Sequence, residues 1–288
     1  MISNIKPLSK EKVEENKISI MIPFAANGDR GLIFMAAIKH LYNLIKDKNI
    51  EICVHESAPT RFLEDSFIEK YCLKYVYTNW TEVFHKAWNL NVIAKYTTTG
   101  DYLVVYDGDL IVDAKWIADL QEKASEYYCG YGWTSIKYLT TEATNRFIHT
   151  GIMPEYPQIW NTVYPQNEYA AGGINIISRK DFFDLRGWPE DFRGSWGGAD
   201  NGFAAKTRTM GIQRHQHIHS DHIYHLNHDH KTHKQDTRFI ISDKLDRFNK
   251  DEWLQHIKAA ENWGDINLSP VTTAQRINVI GDMIHEED

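Results

Sequence analysis

From residue 18 onward, short apolar runs alternate with longer segments of mixed character. Ile18–Phe24, "ISIMIPF", is apolar at nearly every position and is closed by Pro23 and "ANGDRG". Successive side chains of a strand point to opposite faces, so such a run predicts a strand covered on both sides, as in a parallel sheet. Gly31–Ile45 carries apolar residues at helical spacing and predicts a helix. Glu51–Val54, running into "HESAP", predicts a second strand, 62–71 a short helix, and Lys74–Tyr77 a third strand. Thr81–Tyr96 reads as a helix with Thr81 as its N-cap. "YLVV" then forms a strand that ends in two aspartates, "YDGDLIV". Further helices are expected at Asp113–Tyr127, Lys180–Leu185, from Asp200 onward, Ile257–Trp263 and Ala274–Ile284, and a strand at Ala171–Ser178. Residues 130–170 show little periodicity, and residues 1–17 form a polar lead-in. Alternation of strand and helix predicts an α/β fold, Rossmann-like, with a mostly parallel central sheet flanked by helices and a C-terminal helical extension. Ligands of such sheets bind beyond the carboxyl ends of the strands, where Pro23-Phe24, His55-Glu56 and Asp107–Asp109 all fall.

Composition adds bounds. The 288 residues are 42% hydrophobic and 25% charged, ordinary for a globular chain. A net charge of −7 speaks against a surface built for a polyanion. Lysines and arginines at 206, 208, 214, 231 and 234 would still allow a local basic rim. The three cysteines, Cys53, Cys72 and Cys129, form neither a disulfide framework nor a zinc ribbon and fit a reducing compartment. The amino-terminal residues lack a signal-peptide pattern, and no run approaches the ~20 apolar residues of a membrane span. A cytoplasmic location is expected.

Three stretches carry candidate chemistry. Asp107 and Asp109 flank a glycine at a strand end, a pattern that serves either as a turn or as hard oxygen ligands for a divalent cation. In "GSWGGADNGF", 194–203, glycines surround Trp196 ahead of Asp200. Trp196 either lids the core or lies against a sugar ring. Asp200, near a helix start, would be held ionised by the helix dipole and could accept a hydroxyl proton. Residues 215–233, "HQHIHSDHIYHLNHDHKTH", hold eight of the 14 histidines, too many for one metal. His225 and His228, following the apolar pair Ile223-Tyr224, are the exceptions. Imidazoles beside carboxylates suit Mn2+ better than Mg2+.

Together, "ISIMIPF", "YDGD", "GGINIISRKDFFDLRGWPEDFRGSWGGADNGF" and "YHLNH" resemble an inverting GT-A glycosyltransferase. The resemblance is to the C-terminal region of the β1,4-galactosyltransferase type and to bacterial polysaccharide synthases. Its matches include Gly172-Gly173, Phe182, Gly187-Trp188-Pro189, Trp196-Gly197-Gly198 and Asp200, and it covers roughly 18–230. It implies a metal site of Asp107, Asp109, His225 and His228, holding Mn2+ or Mg2+, with Asp107 near the ribose or the metal. Asp200 would be the catalytic base. Pro23, Phe24, Arg30, Glu56, Lys86, Asn89 and Asp107 would contact the nucleotide, and Trp196, Gly197 and Gly198 would face the sugars. Where the family has a Glu before the base, this chain has Ala199, so the family's sugar specificity does not carry over.

The resemblance implies a GT-A catalytic domain at 18–232. Its nucleotide-binding half is 18–125 and its acceptor and metal half 126–232, followed by the extension 233–288. The expected partners are a nucleoside-diphosphate sugar, UDP-linked, and a glycan or polysaccharide acceptor. Alternatives are transfer to a modified nucleobase of phage DNA, a non-catalytic nucleotide-sugar or glycan-binding module, and a nucleotidyltransferase.

Overall fold

The computed structural model describes residues 14–82, 84–124, 129–133, 135–153, 159–161, 172–191, 198–212, 218, 223–228 and 236–267. In chain order its elements are β1 (Glu14–Phe24), α1 (Arg30–Ile45), β2 (Ile50–Ala58), α2 (Asp65–Lys70), β3 (Lys74–Asn79), α3 (Lys86–Tyr96), β4 (Gly100–Tyr106), β5 (Leu110–Ile111) and α4 (Ala114–Lys123). There follow β6 (Cys129–Tyr131), β7 (Lys137–Leu139), α5 (Thr141–Thr150), β8 (Ile159–Asn161), β9 (Ile174–Ser178), α6 (Arg179–Asp184), α7 (Ala199–Thr209), β10 (Tyr224–His225), α8 (Asp236–Arg247) and α9 (Lys250–Ala259).

The main sheet has the order β3-β2-β1-β4-β9-β6. Its first four strands are mutually parallel, and β9 runs antiparallel to both β4 and β6. A small second sheet, β5-β10-β7-β8, stands beside it. The expected mostly parallel α/β fold is therefore present.

Side chains alternate across the main sheet. Ile18, Ile20, Ile22, Ile52, Val54 and Val104 pack on one face with Phe34, Ile38 and Leu41 of α1 and Trp116 of α4. Met21, Cys53, Leu103 and Val105 pack on the other with Leu90 and Ile93 of α3, Phe182 of α6 and Phe203 of α7. Two covered faces explain why β1 is apolar at successive positions. Leu245 of α8, Trp253 of α9 and Trp263 join the second cluster, so 236–267 shares the core beneath α3, α6 and α7. Among the described residues no helix is long and apolar enough to cross a membrane.

Several local expectations are corrected. β1 starts at Glu14, inside the expected lead-in, because Glu14 N–H donates to Thr99 O (2.9 Å) and extends the ladder. α3 starts at Lys86, not after Thr81. Its cap is the buried His85 ring, which accepts from Trp88 N–H (3.1 Å), and Trp80 packs against Trp88. α5 lies in the stretch read as lacking periodicity; its buried residues are Thr144 and Phe147, too few for a clear stripe. α8 lies within the expected helical extension, though no helix is placed at Asp236–Arg247 by the sequence. α9 ends at Ala259, with a capping box of Asn249 and Glu252 at its start, so the helix expected at Ile257–Trp263 shares just its first three residues with it. The helix expected at Ala274–Ile284 lies outside the described residues.

Candidate active site

The turn after β4 is built by backbone bonds. Asp107 N–H donates to Gly173 O (3.0 Å), and Leu110 N–H closes onto Asp107 O (3.1 Å). Gly108 packs against α1; a Cβ there would lie 2.8 Å from the Phe34 ring, so no larger residue fits between the two aspartates without a shift. Turn and ligand readings of Asp-Gly-Asp thus describe one object: the turn aims its two carboxylates in different directions.

Asp109 points toward β10. That strand pairs antiparallel with β5, His225 opposite Leu110, and Leu226 N–H donates to Asp109 O (2.8 Å). This pairing sets His225 Nε2 at 3.5 Å and His228 Nε2 at 3.1 Å from the Asp109 carboxylate. One ligand atom from each of the three lies within 4.8 Å of the others. A carboxylate and two imidazoles, converging and largely buried, are a donor set that fits Mn2+. Burial alone would raise the Asp109 pKa, but His225, His228 and Arg30 outweigh it and hold the carboxyl well below its usual range. Arg30, the first residue of α1, places a guanidinium nitrogen 3.4 Å from both ring nitrogens of His228, the distance pattern of a cation over the ring face.

Asp107 points the other way. Its Oδ1 is 2.7 Å from Lys86 Nζ, and the same ammonium reaches Asp200 Oδ1 at 3.0 Å. Asp200 sits in the first turn of α7, behind Gly198 at φ +84°. Burial, with the Asp200 and Asp109 charges, pushes Asp107 up to about 6 against the pull of Lys86. Lys86 is held above its ordinary range by Asp107 and Asp200 in spite of burial. Asp107 is therefore the link between the Asp109 cluster and Asp200, and it is not among the three converging ligand groups.

The other expected residues divide. Phe24 ends β1 after Pro23 and stacks on Phe34 with centroids 3.9 Å apart. Glu56 is fully buried, and its carboxylate is taken by Phe62 N–H, Leu63 N–H (3.2 Å) and Tyr75 O–H (2.7 Å). It fastens its own loop and β3. Asn89 is buried one turn into α3 and donates to His85 O (2.8 Å). Gly198 is the N-cap residue of α7, while Trp196 and Gly197 lie outside the described residues. Of the positions named for a basic rim, Lys206 is buried and donates to Gly187 O (3.0 Å), and Arg208 pairs with Asp246. Positions 214, 231 and 234 lie outside the described residues.

Sequence reasoning missed the supports of the histidine turn. Tyr138 of β7 lies against the His225 ring, centroids 4.8 Å apart. Thr144 Oγ1 of α5 accepts from Asn227 N–H (2.8 Å). Both come from 130–170, where no pattern marked them.

Residues 19–185, more than half of the chain, match the profile of glycosyl transferase family 2. Residues 157–229 match a profile described as the N-terminal domain of galactosyltransferase. No curated protein sequence matches the chain. Among solved structures, a mutant Drosophila β1,4-galactosyltransferase 7 in complex with manganese, UDP-Gal and xylobiose is similar at 16% identity and TM-score 0.51, over 81% of this chain and 80% of that one. GalNAc-T7 with UDP, GalNAc and Mn2+ is similar at 14% identity and TM-score 0.54, over 94% of this chain and 57% of that one. S. aureus TarS is similar at 14% identity and TM-score 0.53, over 84% of this chain and 42% of that one. At these identities the likeness is one of fold, that of GT-A glycosyltransferases.

Proposed function

The chain belongs to glycosyl transferase family 2 and is a glycosyltransferase, and from that premise we propose that it moves a sugar from a UDP-sugar to a hydroxyl of a glycan or polysaccharide, with inversion at the anomeric carbon. The observation that carries the reading is the convergence of Asp109, His225 and His228 on one side of Asp107 and of Asp200 on the other, joined through Lys86. The structurally similar β1,4-galactosyltransferase 7 and GalNAc-T7 were crystallised with manganese and a uridine nucleotide.

Asp109, His225 and His228 would hold Mn2+, which when bound supplies positive charge against a departing diphosphate. Asp107 would face the ribose of the donor, beside that cluster. Arg30, over His228, adds a fixed cation at the same end of the crevice. Pro23 and Phe24 close the floor at the end of β1, where the nucleotide would lie. Asp200 accepts the proton of the attacking hydroxyl; the new oxygen–carbon bond forms as the bond from the anomeric carbon to the diphosphate oxygen breaks. Residues 18–232 would be the catalytic domain and 233–288 an extension, of which 236–267 packs on it. Free Cys53 and Cys72 suit a cytoplasmic enzyme.

Incubation with UDP-glucose, UDP-galactose and their N-acetylated counterparts in Mn2+ tests the reading. One of them should release UDP, and EDTA should abolish the release. UDP release unaffected by EDTA would refute the metal site.

A further inference from the structure

Among the described residues Asp200 has a hydrogen-bond partner at one carboxylate oxygen and none at the other. Its Oδ1 accepts from Lys86 Nζ at 3.0 Å, and the same ammonium lies 2.7 Å from Asp107 Oδ1. Its Oδ2 lies on the side of Gly172, where a Cβ built on the glycine would stand 3.7 Å away, in ordinary contact. Lys86 is seated firmly. It follows the His85 cap, whose ring accepts from Trp88 N–H and donates to Glu190 O (3.2 Å), and its Nζ lies 5.7 Å from the centroid of the Trp188 ring. Lys86, expected to touch the donor nucleotide, has two carboxylates as its partners.

Resting on the glycosyltransferase reading above, we infer that Lys86 is a positioning residue for the base. It ties Asp200 to the Asp-Gly-Asp turn through Oδ1 and leaves Oδ2, above Gly172, as the atom that takes the acceptor proton. Without the ammonium, the Asp107 and Asp200 carboxylates that share it would repel across a partly buried gap, and Asp200 would turn away. The proton passes from the acceptor hydroxyl to Oδ2, its oxygen bonds the anomeric carbon, and the diphosphate leaves with the electron pair of the broken bond. Gly172 fits the same picture, because its bare Cα leaves the approach to Oδ2 open. Lys86 therefore acts on the rate of transfer more than on donor affinity.

The experiment compares wild type with Lys86→Met, Lys86→Arg and Gly172→Val. UDP release from the sugar panel and calorimetric binding of UDP with Mn2+ are read side by side. Lys86→Met, which keeps the stem and removes the charge, should lower kcat by about 10²–10⁴, the span of general-base catalysis, while UDP affinity stays within about threefold. Lys86→Arg should recover the rate to within about tenfold of wild type, since the charge returns with altered geometry. Gly172→Val should cut UDP release and leave UDP binding unchanged. A Lys86→Met protein that loses UDP affinity in step with rate would make Lys86 a donor contact and overturn the proposal. Wild-type kcat in Lys86→Met would overturn it too, while leaving the glycosyltransferase reading intact. A wild type that releases UDP from none of the sugars sinks both. Melting temperatures of the four proteins separate a folding defect from a catalytic one.

Discussion

Asp200 owes its place to three local features. Gly198 takes a positive φ, the helix starts one residue later, and the first turn points a carboxylate at Lys86. Asp200→Asn keeps the shape and removes the proton acceptor. It should lower kcat for UDP release by about 10²–10⁴ while UDP binding in Mn2+ persists. Steady-state kinetics beside calorimetry measures both, and unchanged turnover would remove Asp200 from the mechanism. At this scale the sequence was legible where chemistry and backbone coincide. Asp107, Asp109, Asp200, His225 and His228 stood out because carboxylates at a strand end and imidazoles after an apolar pair are unusual. What the sequence hid was who faces whom. Lys86 is 114 residues from Asp200 and 21 from Asp107, and the late start of α3 puts it at the head of the helix. No periodicity carries that contact. Glu56 likewise looked free at a strand end, yet the turn beyond β2 folds back and uses both its oxygens.

At the scale of elements, the parallel strands were readable because burial on both faces makes them continuously apolar, and α1 because its buried stripe is long. The short strands and α5 were not, since their few buried residues give no period and their pairings are non-local. Trp188 and Glu190 are instead pinned by polar contacts with α3. Asn91 donates to Trp188 O (2.9 Å) and to Glu190 Oε1 (2.7 Å), and Gly264 N–H donates to the same Oε1 (2.7 Å). Burial raises Glu190 from its ordinary 4.5 to about 7, and lowers nearby Lys206 from 10.5 to about 7. Between pH 4.5 and 7 the folded chain holds a proton on Glu190 that the unfolded chain releases, so this group's stabilisation fades as pH rises. Between pH 7 and 10.5 the unfolded chain holds the Lys206 proton that the folded chain has lost, so stability from this group increases with pH. Glu190→Gln should flatten the acid side of a melting-temperature profile and leave the alkaline side in place. An unchanged acid side would show that Glu190 does not titrate this way.

For the whole molecule, the two sheets divide the labour. The main sheet presents the ends of β1 and β4, and the small sheet carries His225 and His228 to Asp109 through the β5–β10 pairing. α8 and α9 add Leu245 and Trp253 to the core that supports α3 and α7, so the extension buttresses the wall bearing Lys86 and Asp200. The central claim is that this junction is a metal-dependent nucleotide site. Calorimetric titration of UDP into wild type and Asp109→Ala, each with Mn2+ and with EDTA, tests it most directly. Wild type with Mn2+ should bind UDP, and removing either the metal or the Asp109 carboxylate should weaken that binding by about tenfold to a hundredfold or more. Equal UDP affinity in all four titrations would contradict the account.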